Sequence, residues 1–315
     1  MTPVSATAPG KLVLAGEYAV LEGHEALSAS VGRRVHVTIN EDQGKESLTN
    51  SRNKLIQGVV QEFQERGITL PHSKLEISSS ELHLNLGGKP FKLGIGSSSA
   101  IAVALTAALL RVCERDLQDC LEIARHAHRR FNKQRGSGVD VATCYYGGAI
   151  RYAISADTPI VIKCLLTFDM RMIVPVYTGV AQSTGRLLEQ VSAIDTERSY
   201  REAIDGIGSA AKSMTKVMTQ SGSFEDLREA VLEHNYWMNQ LGAIASAAVL
   251  SPQHIELAKL CERHGGFAKP SGAGGGDISL CFVPLSAQDG FKKDLVSTTY
   301  RALNLDFCVS GLESA

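Results

Sequence analysis

The 315-residue sequence predicts a mixed α+β protein with two lobes. Two observations predict the class. Short strand-like alternations of apolar and polar residues recur between segments of helical spacing, and no internal repeat or low-complexity segment interrupts them. A third observation predicts two lobes: the length exceeds one ordinary core and suits one large or two medium domains. We place the boundary near residue 155, with an N-terminal lobe over 1–155 and a C-terminal lobe over 156–315.

The elements follow in order. Residues 11–20 and 34–39 alternate as strands, punctuated by Gly10, Gly16, Gly23 and Gly32. Leu55 to Arg66 has helical spacing and stops at Gly67, a usual residue at a helix C-terminus. Strands follow at 74–78 and 82–86, and Gly87-Gly88 breaks the chain after the second. A helix runs from the Gly94–Ser99 segment to about Val112. It is apolar on nearly all sides and so belongs in the centre of a lobe. A helix from Leu117 to about Lys133 leads to the loop 135–140 and an apolar stretch, 141–146. Strands are expected at 150–153, 161–166 and 171–177, and helices at 184–195, 198–219 and 224–248. Pro252 opens a helix to about His264, at the favoured first-turn position. A strand at 278–284, a helix at 287–302 and a strand at 304–310 close the chain.

Composition narrows the function. The formal net charge is −1 and no long basic run occurs, so charge supports neither a nucleic-acid nor an anionic-membrane partner. Residues 1–7 lack the basic-then-apolar pattern of a secretory leader, and no stretch of about 18 apolar residues exists to span a bilayer. The seven cysteines are odd in number and form no C-x-x-C pair, which fits free thiols in a reducing cytosol and a cytoplasmic protein. Cys113 and Cys120 share helical spacing, but no His or carboxylate completes a ligand set, so packing is their expected role.

Two glycine-rich segments carry the chemistry. Gly94-Ile95-Gly96-Ser97-Ser98-Ser99-Ala100 runs straight into the apolar helix. Glycines let backbone approach an anion, the first helical N–H groups lack intrahelical partners, and the helix dipole favours negative charge there. A plain linker does not open a buried helix. The segment is neither a Walker A loop nor a dinucleotide fingerprint. The second segment, Lys269-Pro270-Ser271-Gly272-Ala273-Gly274-Gly275-Gly276-Asp277, leads into a strand. Ser183-Thr184 precede a helix and make another anion site.

Single residues read two ways. Lys11, after Pro9-Gly10, points into a cleft or is a solvated surface Lys. Asp140 sits in an apolar run and needs a partner, for which Lys11 is the candidate. A carboxylate beside a Lys is a device for taking a proton from a hydroxyl. Asp140 is equally a helix N-cap residue. His126 and His128, among Arg125, Arg129 and Arg130, read as a basic helix face. Trp237 reads as a core residue or, second, a cleft residue.

Taken together, Ala8-Pro9-Gly10-Lys11 through Gly16-Glu17-Tyr18-Ala19, the segment 93–100 and the segment 269–277 resemble, in order and spacing, the three motifs of the GHMP kinase superfamily. The superfamily is named for galactokinase, homoserine kinase, mevalonate kinase and phosphomevalonate kinase. The resemblance covers essentially the whole chain. Glu17-Tyr18 and Asp277 are most similar to the phosphomevalonate kinase branch, where mevalonate kinases usually carry His and Gly. Mevalonate kinases also place a magnesium-binding Glu on the helix before the Asp loop, where this sequence has a cation at about Arg129.

The resemblance implies an N-terminal lobe like domain 2 of ribosomal protein S5 and a ferredoxin-like C-terminal lobe, with ATP and a second substrate meeting in the cleft. It implies ATP phosphates on residues 94–100, Mg²⁺ on Ser98, and a catalytic pair, Lys11 and Asp140. Substrate would lie near Lys11, Glu17, Tyr18, Ser137, Ser183, Thr184, Ser271, Gly272 and Ala273. The implied reaction moves the γ-phosphoryl group of ATP to the phosphate of (R)-5-phosphomevalonate, in isoprenoid synthesis, by a monomer or homodimer. Another kinase of the superfamily, or a catalytically silent small-molecule sensor, are the alternatives.

Overall fold

A computed structural model describes residues 3–40, 48, 51–133, 135–156, 158–180, 184–194 and 198–315. Strands and helices are mixed throughout, as an α+β class requires. Contacts divide the chain into two compact units, each made of separate stretches. One takes Met1–Lys11, Ala29–Gly148 and Phe307–Ala315, and the other takes Leu12–Ser28 and Ala149–Asp306.

In the first unit, β1 (Val4–Ala15) starts beside β12 (Glu313–Ser314), with Ala6 opposite Ser314. The later part of β2 (Ala26–Asn40) pairs antiparallel with β3 (Lys74–Ser78), His36 opposite Ser78 and Asn40 opposite Lys74. β4 (His83–Leu86) and β5 (Lys89–Lys92) form a hairpin. Gly87 and Gly88 have φ of 59° and 80°, the positive pair that a two-residue turn between twisted strands demands. The expected chain break is therefore a turn, and β5 is a strand the alternation did not disclose.

Four helices complete this unit: α1 (Lys54–Glu65), α2 (Ser97–Val112), α3 (Cys120–Phe131) and α4 (Val139–Tyr146). α2 packs on the other three and is buried from Ala102 through Leu110. Its Ala, Val and Leu side chains leave no polar stripe to solvate, so the helix stabilises only where every side finds a partner. Between α1 and α3 the buried Glu62 carboxylate accepts from Arg66 and Arg130. Burial pushes this carboxyl up, and the two guanidinium groups pull it below its ordinary range.

In the second unit, β6 (Ala149–Ser155) and β7 (Thr158–Cys164) form one antiparallel pair. A separate four-stranded antiparallel sheet has the order β11-β8-β10-β9, from β8 (Ile173–Tyr177), β9 (Phe267–Pro270), β10 (Ile278–Phe282) and β11 (Arg301–Ala302). Alternate residues Val174, Val176, Ala268 and Cys281 meet Leu257, Leu260 and Cys261 of α8 (Pro252–Arg263) and Phe291 and Leu295 of α9 (Gln288–Val296) in one core. A second core joins α6 (Arg198–Thr219) and α7 (Phe224–Ile244) with Tyr18, Ala19 and, from α5 (Thr184–Ser192), Val191. Trp237 packs at its edge, where Gly206 has no room for a side chain: a Cβ there would lie 2.3 Å from the indole.

Several expected boundaries move. β1 ends at Ala15, and residues 19–22 form a short 3-10 turn instead of more strand. α7 stops at Ile244, because the Ala247 N–H turns back to Gly242 O around a left-handed Ser246. The helix expected over 287–302 ends at Val296, since Arg301 and Ala302 pair with β8. Residues 304–310 form no strand; their ladder contacts are the isolated bridges Val31 to Phe307 and Gly147 to Ser310, and the Ser30 hydroxyl and Arg34 donate to Val309 O and Ser310 O.

Candidate active site

In the first unit a glycine loop opens the N-terminus of α2. Gly94 and Gly96 have φ of 73° and 83°, left-handed values at which a side chain is strained. Gly96 is the residue just before the helix and carries no side-chain cap, so the N–H groups of residues 97–99 point out of the helix end. The loop is tied to β1: the Lys11 N–H donates to Ile95 O at 2.9 Å. A Cβ on Gly10 would sit 2.7 Å from that same carbonyl oxygen, which explains the Pro9-Gly10 step.

Lys11 then runs over Gly96. A Cβ at position 96 would lie 2.9 Å from Lys11 Cγ and 3.0 Å from Cε. The ammonium ends 3.1 Å from Asp140 Oδ1, with the Lys side chain 8% exposed and the Asp side chain 33% exposed. Of the two readings of Lys11, the structure keeps the inward one. Asp140 lies in the first turn of α4 and is not its N-cap, which is Gly138 with φ 86°. The Ser137 hydroxyl instead accepts from the Val139 N–H at 3.3 Å.

His128 is the residue that sequence reasoning assigned to the wrong surface. It is buried, not part of a basic face, and its Nε2 lies 3.0 Å from Ser98 Oγ and 3.3 Å from Ser99 Oγ. The α3 residue that meets the loop is thus His128, one place before Arg129. Burial first, then the charges of Lys11 and Lys92, hold its pKa down at about 4 against the opposing pull of Asp140, so the ring is neutral near pH 7. His126 instead lies 3.4 Å from Glu62. The only carboxylate of α3, Glu122, pairs away from the loop with Arg66.

The second unit clamps the other glycine segment. Glu17 and Lys269 are buried, and Lys269 Nζ donates to Glu17 Oε1 at 2.5 Å and to Pro270 O at 2.7 Å. The Gly272 N–H reaches the same Oε1 at 3.3 Å, and His234 Nε2 lies 2.9 Å from Oε2. Burial alone would raise the Glu17 pKa; Lys269 and His234 overcome this and bring it to about 2. His234 is pushed down by burial. The cluster is therefore an ionised Glu, a Lys that balances it and a neutral His.

Neighbouring side chains spend their polar atoms on backbone. Ser271 Oγ donates to Val13 O and accepts from Val13 N–H, both at 3.0 Å. Tyr18, at a left-handed φ of 58°, donates its hydroxyl to Ala273 O at 2.7 Å. Burial and the Glu17 charge push the Tyr18 phenol well up, which keeps that proton in place. Gly274 sits where a Cβ would be 2.1 Å from Val249 O. Asp277 has φ 55°, so it fills a left-handed position that only Gly and short polar residues take readily. Of the residues expected at substrate, Glu17, Tyr18 and Ser271 thus hold the segment 269–277 in shape. Ser183 and the side chain of Thr184 lie outside the described residues. Among the described residues, no group of three or more His, Cys, Asp or Glu could hold a metal ion, and no helix is long and apolar enough to cross a membrane.

Residues 54–148, which include the loop, His128 and Asp140, match the family model of the GHMP kinases N terminal domain. Over those residues the chain carries a GHMP kinases N terminal domain. It is similar to the phosphomevalonate kinase of Saccharolobus solfataricus, 28% identical over 87% of this chain and 88% of the relative. It is also similar to the mevalonate kinase of Methanothermobacter thermautotrophicus, 27% identical over 98% of this chain and 99% of the relative. Among solved structures, Streptococcus pneumoniae phosphomevalonate kinase in complex with phosphomevalonate and AMPPNP superposes with a TM-score of 0.81. That pair is 19% identical, over 98% of this chain and all of the other.

Proposed function

We propose that the protein is an ATP-dependent small-molecule kinase of the mevalonate pathway, and that its acceptor is (R)-5-phosphomevalonate. The observation that carries phosphoryl transfer is Lys11, threaded over Gly96 and held by Asp140 at the N-terminus of α2. ATP phosphates would rest on the N–H groups of residues 97–99, where the helix end favours negative charge. Mg²⁺ would travel with the nucleotide. It keeps several waters and needs only one or two protein oxygens besides phosphate, a demand that the Ser98 hydroxyl meets.

The acceptor in this reading is a phosphate oxygen, already anionic near neutral pH. A strong general base is then unnecessary. Lys11 neutralises charge between donor and acceptor, Asp140 orients Lys11, and positioning with electrostatics does most of the work. The absence of an α3 carboxylate facing the loop fits an acceptor that brings its own charge. The first relatives found, at 28% and 25% identity, carry the phosphomevalonate kinase name. Tyr18 and Asp277 weigh less, because hydrogen bonding to Ala273 and a left-handed φ account for them.

Mevalonate kinase is the second reading, favoured by relatives of that name at 25% and 27% identity. The test is a coupled ADP-release screen over mevalonate, phosphomevalonate, diphosphomevalonate, galactose and homoserine. Phosphomevalonate should turn over fastest at equal concentration. No ADP release with any acceptor would favour the catalytically silent sensor.

A further inference from the structure

Ser99 is fully buried, and a buried hydroxyl proton needs an acceptor. Its oxygen reaches His128 Nε2 at 3.3 Å, and the Ser98 oxygen meets the same nitrogen at 3.0 Å. One ring N–H directed at two adjacent oxygens would leave the Ser99 proton without a partner. One ring lone pair shared by two O–H donors satisfies both. Asn132 Nδ2 lies 3.4 Å from Nδ1 and 3.5 Å from Nε2; with the amide turned about so that its oxygen takes that place, it accepts the Nδ1 proton that this tautomer carries.

We propose that His128 is a positioning residue of the phosphate loop: its unprotonated Nε2 takes the hydroxyl protons of Ser98 and Ser99 and so leaves the Ser98 lone pairs facing the cation that accompanies a nucleotide. A hydroxyl that donates into a low-dielectric site becomes the more electron-rich ligand. The imidazole does indirectly what a second carboxylate would do by direct ligation, without adding negative charge beside the phosphates. The identity of the ligand rests on the phosphoryl-transfer reading above; the Ser–His arrangement does not.

Two measurements test it. Long-range ¹H–¹⁵N correlation of the ligand-free protein, with His128 assigned by its loss in His128→Gln, should show Nδ1 protonated and Nε2 bare. A proton on Nε2 overturns the proposal, whether or not any variant folds. Titration calorimetry with ATP, in Mg²⁺ and in EDTA, reads the consequence. His128→Leu should weaken binding about 10-fold in Mg²⁺ and less than twofold in EDTA, and His128→Gln should recover most of the loss. Equal losses in both conditions, or no loss, contradict the proposal. Failure of the unaltered protein to bind ATP at all would instead remove the kinase reading, and the tautomer result would still decide the Ser–His arrangement.

Discussion

Lys11 Nζ and Asp140 Oδ1 stand 3.1 Å apart, the Lys nearly buried and the Asp one-third exposed. The pair joins the later half of β1 to the first turn of α4 and fixes an ammonium beside a helix N-terminus. The two residues are not equivalent in the proposed chemistry. Lys11→Met should lower kcat by on the order of 10²–10³, or ~3–4 kcal/mol of transition-state stabilisation. Asp140→Asn should retain measurable turnover, because an anionic acceptor needs no base. Steady-state kinetics on both variants check this. A dead but folded Asp140→Asn beside a mild Lys11→Met would point back to a hydroxyl acceptor.

Gly96 answers to two constraints at once, a φ of 83° and the passage of Lys11. Gly96→Val should raise KM for ATP and lower kcat while leaving the melting temperature within a few degrees. Ser98→Ala should weaken use of MgATP without touching the backbone. Unchanged kinetics in both variants would remove the phosphate-loop assignment.

Glu17 and Lys269 should show strong coupling in a double-mutant cycle. Removing one partner of a buried pair typically costs about 3–5 kcal/mol, because the other charge stays buried. Glu17→Leu and Lys269→Met should each destabilise by that amount in urea unfolding, and the double variant by much less than the sum. Additive losses would show that the two charges do not depend on each other.

Acid should unfold the protein in two stages. His254 is held at about 4 by burial, below its ordinary 6.5. The unfolded chain therefore takes up that proton first, and stability falls as pH drops from about 6.5 toward 4. Glu17, lowered from 4.5 to about 2, contributes stability above pH 4.5 that is lost as pH falls toward 2. Urea midpoints between pH 8 and 3 check the slope, and His254→Gln should flatten its upper part.

The sequence disclosed what composition and local pattern encode. The all-apolar run after Ser99 marked α2 as central, and Asp140 among valines demanded a cationic partner. His128 stayed hidden because its neighbours are Arg and His, and nothing local says which of them turns inward. Glu17 and Lys269 meet across 252 positions, a distance no periodicity spans. The resemblance set Ser271 and Tyr18 near substrate; their bonds to Val13 O and Ala273 O, which no local pattern discloses, join them to backbone. The expected strand at 304–310 failed because its backbone pairs through two isolated bridges and no continuous ladder.

The central claim is transfer of a phosphoryl group to a phosphate. ³¹P NMR of the products formed from ATP with (R)-5-phosphomevalonate, and separately with mevalonate, tests it most directly. The account predicts the coupled doublets of a diphosphate ester from phosphomevalonate and little or no monoester from mevalonate. A phosphate monoester singlet from mevalonate, with phosphomevalonate returned unchanged, would contradict it.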